Sequence, residues 1–389
     1  MSSTSEQKTM KAYVLKGIGQ LEYTDVLLPS CGPGYVLVRV CAAGICGSDL
    51  PRIFETGTYH FPTIPGHEFA GIVVDACDEE GRGWIGKRVG IFPLIPCREC
   101  FVCREGQYEM CRNYDYLGSR RDGGFAEYAA VPVQNLMELP DAMTMEEAAM
   151  LEPASVALHA VRRLTLHRSD TVALFGLGTI GLIITQWLRI RGITSVYAVG
   201  HNPGHGDLMK RTAWEGYAYY NALRRPAAGE NACADLKPDD RSETAFHHDP
   251  VSWIMEQTGG EGVSVAIDCA GTAESVTNCL NCVRPGGQLL LVGNPKGEMV
   301  FDQASYWKIL RNQIRVTGTW NSSFDHHNGD DWHRVAAAAA QKELHLSELI
   351  THRLRFDELL HGLSIEKDHT EYYNKIMICA SEGEESFGR

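Results

Sequence analysis

Residues 171–192, TVALFGLGTIGLIITQWLRIRG, run from an apolar β stretch through a glycine-rich turn into an apolar helix. The glycines are Gly176, Gly178 and Gly181, a G-x-G-x-x-G whose strand-before, helix-after context gives the pattern its meaning. Such a turn lets backbone amides approach a pyrophosphate, and the helix N-terminus stabilises its charge. A dinucleotide site is therefore expected; the alternative is a strand-to-helix turn with no ligand. The α/β rhythm continues beyond it. TVALFG, SVYAVG, YAYYN (217–221), VSVAIDCAG, QLLLVG and IRVTGTW read as six short strands separated by helices and by a turn at RPGG. That number completes a doubly wound parallel sheet. An acidic residue normally follows the glycines by about 20 residues and binds the cofactor ribose. Here SVYAVG ends at Gly200, followed by His201 and Asn202. NAD is favoured, and NADP is left open because His201, His205, Lys210 and Arg211 could meet a 2′-phosphate. Residues 222–249 are rich in Pro, Gly, Ala and charge and read as a long surface insertion.

The N-terminal part has a different character. AYVLKG and YVLVRVCAAG within residues 11–43, then GIVVDA and KRVGIFP, alternate apolar and polar residues between turns, as antiparallel strands do. Cys46 sits in the glycine-rich turn GICGSD. About one strand and loop later come His67 and Glu68, in GHEFAG. Thiolate, imidazole and carboxylate are the ligands of a catalytic zinc, which keeps one position open. Glu152, in AMLEPAS within a stretch of helical period, is the candidate third ligand. Cys97, Cys100, Cys103 and Cys111 fall within fifteen residues. Four thiolates saturate a tetrahedral zinc, so this second site is structural. Arg120 and Arg121, in YDYLGSRRDGGFAEY, are the residues offered to a phosphate. The alternative is a solvated turn or a salt bridge to Asp122. The tail, 321–389, reads as an Ala-rich helix, a short strand (ITHRLRF), a further helix and a final strand (KIMICA).

The 389 residues suggest two domains or so. A formal net charge of −13 disfavours nucleic acid and anionic membrane as partners. Thirteen cysteines, an odd count without a signal peptide, argue for metal ligation in a reducing cytoplasm rather than a disulfide framework. Residues 1–9 read as a loose polar leader, and no apolar run approaches a membrane span.

Together GICGSD, GHEFAG, the four-cysteine lobe, DGGFAEY, MLEPAS, FGLGTIG, DCAGT and RPGG resemble the zinc-dependent medium-chain dehydrogenase family, in order and over nearly all of residues 10–380. The resemblance implies a GroES-like β-rich catalytic domain (1–155), a Rossmann domain with a six-stranded parallel sheet (156–320), and a return to the catalytic domain (321–389). It implies catalytic zinc on Cys46, His67 and Glu152, with Glu68 an alternate or outer ligand, structural zinc on the four clustered cysteines, and Ser48 as proton relay. Cofactor contacts are expected at Gly176, Gly178, Thr179, Ile180, Gly181, Gly200, His201, Val292, Gly293 and Thr319. CGSDLPRIF, YDYLGSRRDGGFAEY and KILRNQIRVTGTW are most similar to the polyol branch. Many relatives carry a histidine shortly after the Asp of CGSD, where this chain has Leu50 and Pro51. That departure points to a polyol phosphate substrate. The alternatives are an unphosphorylated polyol such as sorbitol, or an inert cofactor-binding protein of the same fold. A homodimer is expected, with a tetramer as the alternative, pairing through IRVTGTW and QLLLVG.

Overall fold

The structure is a computed structural model that describes residues 8–223, 249–295 and 297–380. The insertion read at 222–249 and the leader read at 1–9 lie outside the described residues except at their inner ends. The chain forms two compact units, Met1–His159 with Asn321–Arg389, and Ala160–Trp320.

The first unit opens with β1 (Thr9–Gly17) and β2 (Gln20–Leu27), an antiparallel pair of its own. Next come β3 (Tyr35–Gly44), β4 (Glu68–Ala76), β5 (Arg88–Ile91), β6 (Leu94–Ile95), β7 (Asp115–Tyr116), β8 (Tyr128–Pro132) and β9 (Leu136–Glu138). The interval between Cys46 and His67 holds a short helix, Asp49–Phe54, where a strand and loop are expected from the sequence. The run EEAAMLEPASVALHAVRRL is two helices, Met145–Ala149 and Leu151–Arg162. Thr144 and Glu147 close the first of them in a reciprocal capping box.

The second unit holds β10 (Thr171–Phe175), β11 (Ser195–Gly200), β12 (Ala218–Asn221), β13 (Val263–Asp268), β14 (Val283–Leu291) and β15 (Arg315–Gly318). They pair in the order β12-β11-β10-β13-β14-β15, every pair parallel. The order reverses between β10 and β13, where doubly wound sheets bind ligands at the strands' carboxyl ends. β13 is buried at every residue, as a parallel strand covered on both faces must be. Two sequence readings need correction. QLLLVG belongs to β14, which lies between β13 and β15, so of the two stretches only IRVTGTW, as β15, offers an edge. RPGG is absorbed into β14, where Gly286 at φ +73 accompanies a register shift instead of closing a turn.

The chain then returns to the first unit as β16 (Ile350–Arg355) and β17 (Lys375–Cys379). Its main sheet runs β16-β17-β3-β4-β5-β9. β3 is the hub. β4 pairs along one side, while β8 takes Tyr35–Arg39 and β17 takes Ala42–Gly44 on the other. Val36, Val38, Val40, Phe69, Val73, Val89, Ile91 and Phe125 form the buried core around this hub.

Candidate active site

Three strands of the first unit converge on one spot. β3 ends at Gly44, which stands opposite Glu68 at the start of β4 and Met377 near the start of β17. A β-carbon on residue 44 would collide with the Glu68 carboxylate, so glycine is what lets that carboxylate lie here. Past Gly44 the chain turns sharply through Cys46. Asp49 closes the turn: its N–H donates to the Cys46 carbonyl at 2.8 Å, and its Oδ2 accepts from the Cys46 N–H at 3.0 Å. His67 is delivered by Gly66, at φ +93. The backbone of Gly66 packs against Gly118 and Gly123, where no β-carbon fits. Gly66, Gly118 and Gly123 therefore serve one contact.

The Cys46 thiol, the His67 ring and the Glu68 carboxylate each offer an atom within 4.8 Å of the others. Ser48 Oγ donates to Cys46 Sγ at 3.3 Å and lies 3.5 Å from His67 Nε2. On the far side of the ring, Nδ1 is 3.2 Å from Asp49 Oδ1 and 3.2 Å from Arg52 Nη1. Burial disfavours charge on His67, but Asp49 and Cys46 outweigh it and hold its pKa well above the ordinary value. Asp49 is likewise buried, and His67 and Arg52 keep its carboxyl below the usual range. Lys375, 3% exposed, donates to Glu68 Oε2 at 2.6 Å and to the Ile45 carbonyl at 2.8 Å.

Glu152 falls outside the three-residue group. It sits in the first turn of its helix and accepts from the Tyr116 hydroxyl at 3.2 Å. Burial pushes its carboxyl up to about 7, against the pull of His67. The structure thus brings Glu68 to Cys46 and His67 and holds Glu152 beside them.

The second candidate metal group consists of four cysteines. Cys97, Cys100, Cys103 and Cys111 lie within 4.8 Å of one another, with Sγ separations of 3.4 Å (Cys97–Cys111) and 4.0 Å (Cys97–Cys103 and Cys100–Cys111). Tetrahedral zinc with Zn–S near 2.3 Å needs about 3.8 Å between sulfurs. Backbone amides of Arg112 and Cys103 lower the Cys100 thiol to about 6, which favours the thiolate.

Arg120 and Arg121 do not reach the metal-ligand group. Arg121 directs Nε and Nη2 at the Asp115 carboxylate, both at 2.8 Å. Asp122 instead accepts from the Ile64 N–H. Arg120 lies between the rings of Tyr59 (3.8 Å) and Tyr114 (4.6 Å).

In the second unit Gly176 has φ +95, and a β-carbon there would meet the Ala270 N at 2.7 Å. Gly181 packs against the Gly176 carbonyl, and Gly178 precedes the helix Thr179–Ile190, which begins with Thr179 and Ile180. At the neighbouring strand ends, the Val292 and Gly293 amides both donate to the Asp268 carbonyl. The Thr319 Oγ1 is buried without a hydrogen-bond partner among the described residues. Gly200 is hemmed in by the Tyr219 hydroxyl, and His201 beside it is exposed.

Comparison with known proteins shows which family the chain belongs to. The alcohol dehydrogenase GroES-like domain model matches residues 32–141, and the zinc-binding dehydrogenase model matches residues 179–341. Galactitol 1-phosphate 5-dehydrogenase of Escherichia coli is 33% identical over 327 residues, covering 83% of this chain and 86% of that protein. The chain belongs to the zinc-dependent medium-chain dehydrogenase family. L-idonate 5-dehydrogenase of Vitis vinifera is 30% identical over 90% of the chain and 89% of its own length. The crystal structure of a zinc-binding dehydrogenase from Sinorhizobium meliloti bound to NADP superposes with a TM-score of 0.78 at 30% identity. It covers 96% of this chain and 100% of that one.

The residues of the dehydrogenase fit the groups its family uses. Cys46, His67 and Glu68 are a sulfur, nitrogen and oxygen set suited to zinc. The anions that favour a proton on His67 equally favour a divalent cation that displaces it. The glycine cradle and the partnerless Thr319 hydroxyl fit a dinucleotide and its polar head. Among the described residues no helix is long and apolar enough to cross a membrane.

Three residues that contact His67 or Glu68 have no role assigned from the sequence. Asp49 lies inside the quoted GICGSD motif. Arg52 follows the Leu50-Pro51 pair that replaces the family histidine. Lys375 is a lone cation opening the apolar strand KIMIC. That cation is the signal that could have found it, because a buried lysine needs an anionic partner.

Proposed function

We propose that this dehydrogenase oxidises a secondary alcohol of a polyol phosphate, galactitol 1-phosphate to tagatose 6-phosphate, with NAD as hydride acceptor. The similarity to galactitol 1-phosphate 5-dehydrogenase over 83% of the chain carries the substrate reading. The choice of NAD is supported by the helix Pro203–Thr212. Its cations Lys210 and Arg211 belong to the last turn, about 10 Å along the axis from its start. His205 stands in the first turn, and exposed His201 precedes the helix.

Zinc held by Cys46, His67 and Glu68 would supply acidification of the substrate hydroxyl, and a nicotinamide cofactor held at the glycine turn would supply the hydride acceptor. The residues of the chain supply the rest. Asp49 orients the His67 ring and fixes Nε2 toward Cys46. Lys375 neutralises Glu68 and anchors it beside Ile45. Ser48 Oγ, within 3.5 Å of both Cys46 Sγ and His67 Nε2 and half-buried, accepts the substrate hydroxyl proton as its own proton passes to water. Tyr116 keeps the Glu152 carboxylate turned beside the same site.

Steady-state oxidation of galactitol 1-phosphate, galactitol and sorbitol with NAD and NADP tests this reading. The phosphate ester should show kcat/KM at least about tenfold above either free polyol. Equal or better use of sorbitol would contradict it and favour a dehydrogenase of unphosphorylated polyols. On the same panel Ser48→Ala should lower kcat by about a hundredfold with zinc content unchanged. An unaltered kcat would remove Ser48 from the proton path.

We also infer a homodimer joined at the open edge of β15. Val316 on that strand and Trp307, Leu310 and Trp320 near it are between 42% and 57% exposed, an apolar surface suited to a partner. Sedimentation should give twice the chain mass. A monomer at micromolar concentration would contradict this.

A further inference from the structure

We propose that Arg52 recognises a terminal oxyanion of the substrate and so sets the preference for charged over neutral polyols. This rests on the polyol phosphate reading above and names the residue that would enforce it.

A polyol carrying a phosphate or carboxylate at one end presents two features to a dehydrogenase: the hydroxyl that reacts and the charge at the far end of the same carbon chain. A site that selects it needs a cation a few carbon–carbon bonds from the metal position. The sequence offers Arg120 and Arg121, but Arg121 directs two nitrogens at one oxygen of Asp115, and Arg120 lies against two tyrosine rings. Arg52 is placed differently. Its Nη1 is 3.2 Å from His67 Nδ1, the ring nitrogen facing away from Cys46 and Ser48, so the guanidinium stands one imidazole width from the metal-ligand group. The helix Asp49–Phe54 that carries it is fixed at its start by the Cys46–Asp49 turn.

The guanidinium is held on one side only. Nη1 lies 3.7 Å from Asp49 Oδ1, a long ion pair, and the Tyr116 ring is 5.9 Å from Cζ. Guanidinium has five N–H donors. Among the described residues nothing bonds to Nε or Nη2, and the side chain remains 27% exposed. Asp49 already serves His67 and the Cys46 amide, so it cannot saturate Arg52 as well. A planar fork with one edge anchored beside the ligand group and the other open to solvent matches the bidentate geometry of phosphate and carboxylate.

The test compares the wild type with Arg52→Gln and Arg52→Lys, zinc content being measured on each. Substrates are galactitol 1-phosphate, L-idonate and galactitol, and calorimetry follows galactitol 1-phosphate binding without turnover. Arg52→Gln should lower kcat/KM for the preferred anionic substrate by about ten- to a hundredfold, mainly through KM, with a matching loss of calorimetric affinity. Galactitol should change less than about threefold, zinc content should not change, and Arg52→Lys should recover part of the loss. A wild type that prefers L-idonate identifies the oxyanion as carboxylate, and one that prefers galactitol 1-phosphate identifies it as phosphate. Arg52→Gln must erase either preference. If the wild type shows no preference for an anion, the polyol phosphate reading fails before Arg52 is considered. If the preference survives in Arg52→Gln, or if all three substrates slow equally because His67 has been disturbed, the assignment of Arg52 is overturned and the substrate reading stands.

Discussion

Cys46→Ser should oxidise substrate at least about a thousandfold more slowly than the wild type while remaining folded. The serine oxygen stays protonated at neutral pH and is a poor replacement for a thiolate, so the site loses its softest ligand. The fold should persist because Cys46 is not part of the buried core: the turn it occupies is held by backbone and Asp49 contacts that do not use sulfur. His67 and Glu68 keep their places through Gly66 and the β3–β4 pairing. Circular dichroism and a substrate assay on the same preparation check both halves. Retention of more than about a tenth of wild-type turnover would exclude Cys46 as a ligand in the catalytic state.

With no metal at the Cys46–His67–Glu68 group, Lys375→Met should destabilise the first unit by about 3–5 kcal/mol, because the Glu68 carboxylate is then buried with no cation beside it. That corresponds to a fall of about 10 °C in melting temperature. Burial alone would depress the Lys375 pKa, but Glu68 and Cys46 override it, and the net shift is upward. A group whose folded-state pKa is raised stabilises the fold fully below its unfolded pKa and loses that contribution as pH rises through the folded value. The destabilisation should therefore be constant from roughly pH 6 to 9. Adding Glu68→Gln to Lys375→Met should restore much of the stability, since the uncompensated charge goes with it. Thermal melts of the two single variants and the double variant decide this. If the double variant is no more stable than Lys375→Met, the loss comes from packing rather than from the charge pair.

What could be read from the sequence follows the range of the interactions involved. The six-stranded sheet is legible because each strand is a short apolar run bounded by its own turn, and the glycine turn at 176–181 announces its neighbours locally. Cys46 and His67 are legible for the same reason: the glycines that position them are adjacent in the chain. Lys375 is not, because its role depends on β17 pairing with β3 more than 300 residues earlier. Arg52 looks like an ordinary residue of a short helix until the His67 ring is placed against it. The sequence leaves two carboxylates competing for the third ligand position. Strand register decides which lies nearer, by setting Glu68 opposite a residue without a side chain. Edges cannot be read from strand composition either, so QLLLVG passes for a free edge although it is paired on both sides.

The central claim is that the Cys46–His67–Glu68 group holds a catalytic zinc in addition to the ion held by four thiolates. Metal analysis of the pure, active enzyme beside Cys46→Ser tests it most directly. Two zinc ions per chain in the wild type and one in the variant are expected. A fully active wild type carrying a single zinc, unchanged in Cys46→Ser, would contradict the account.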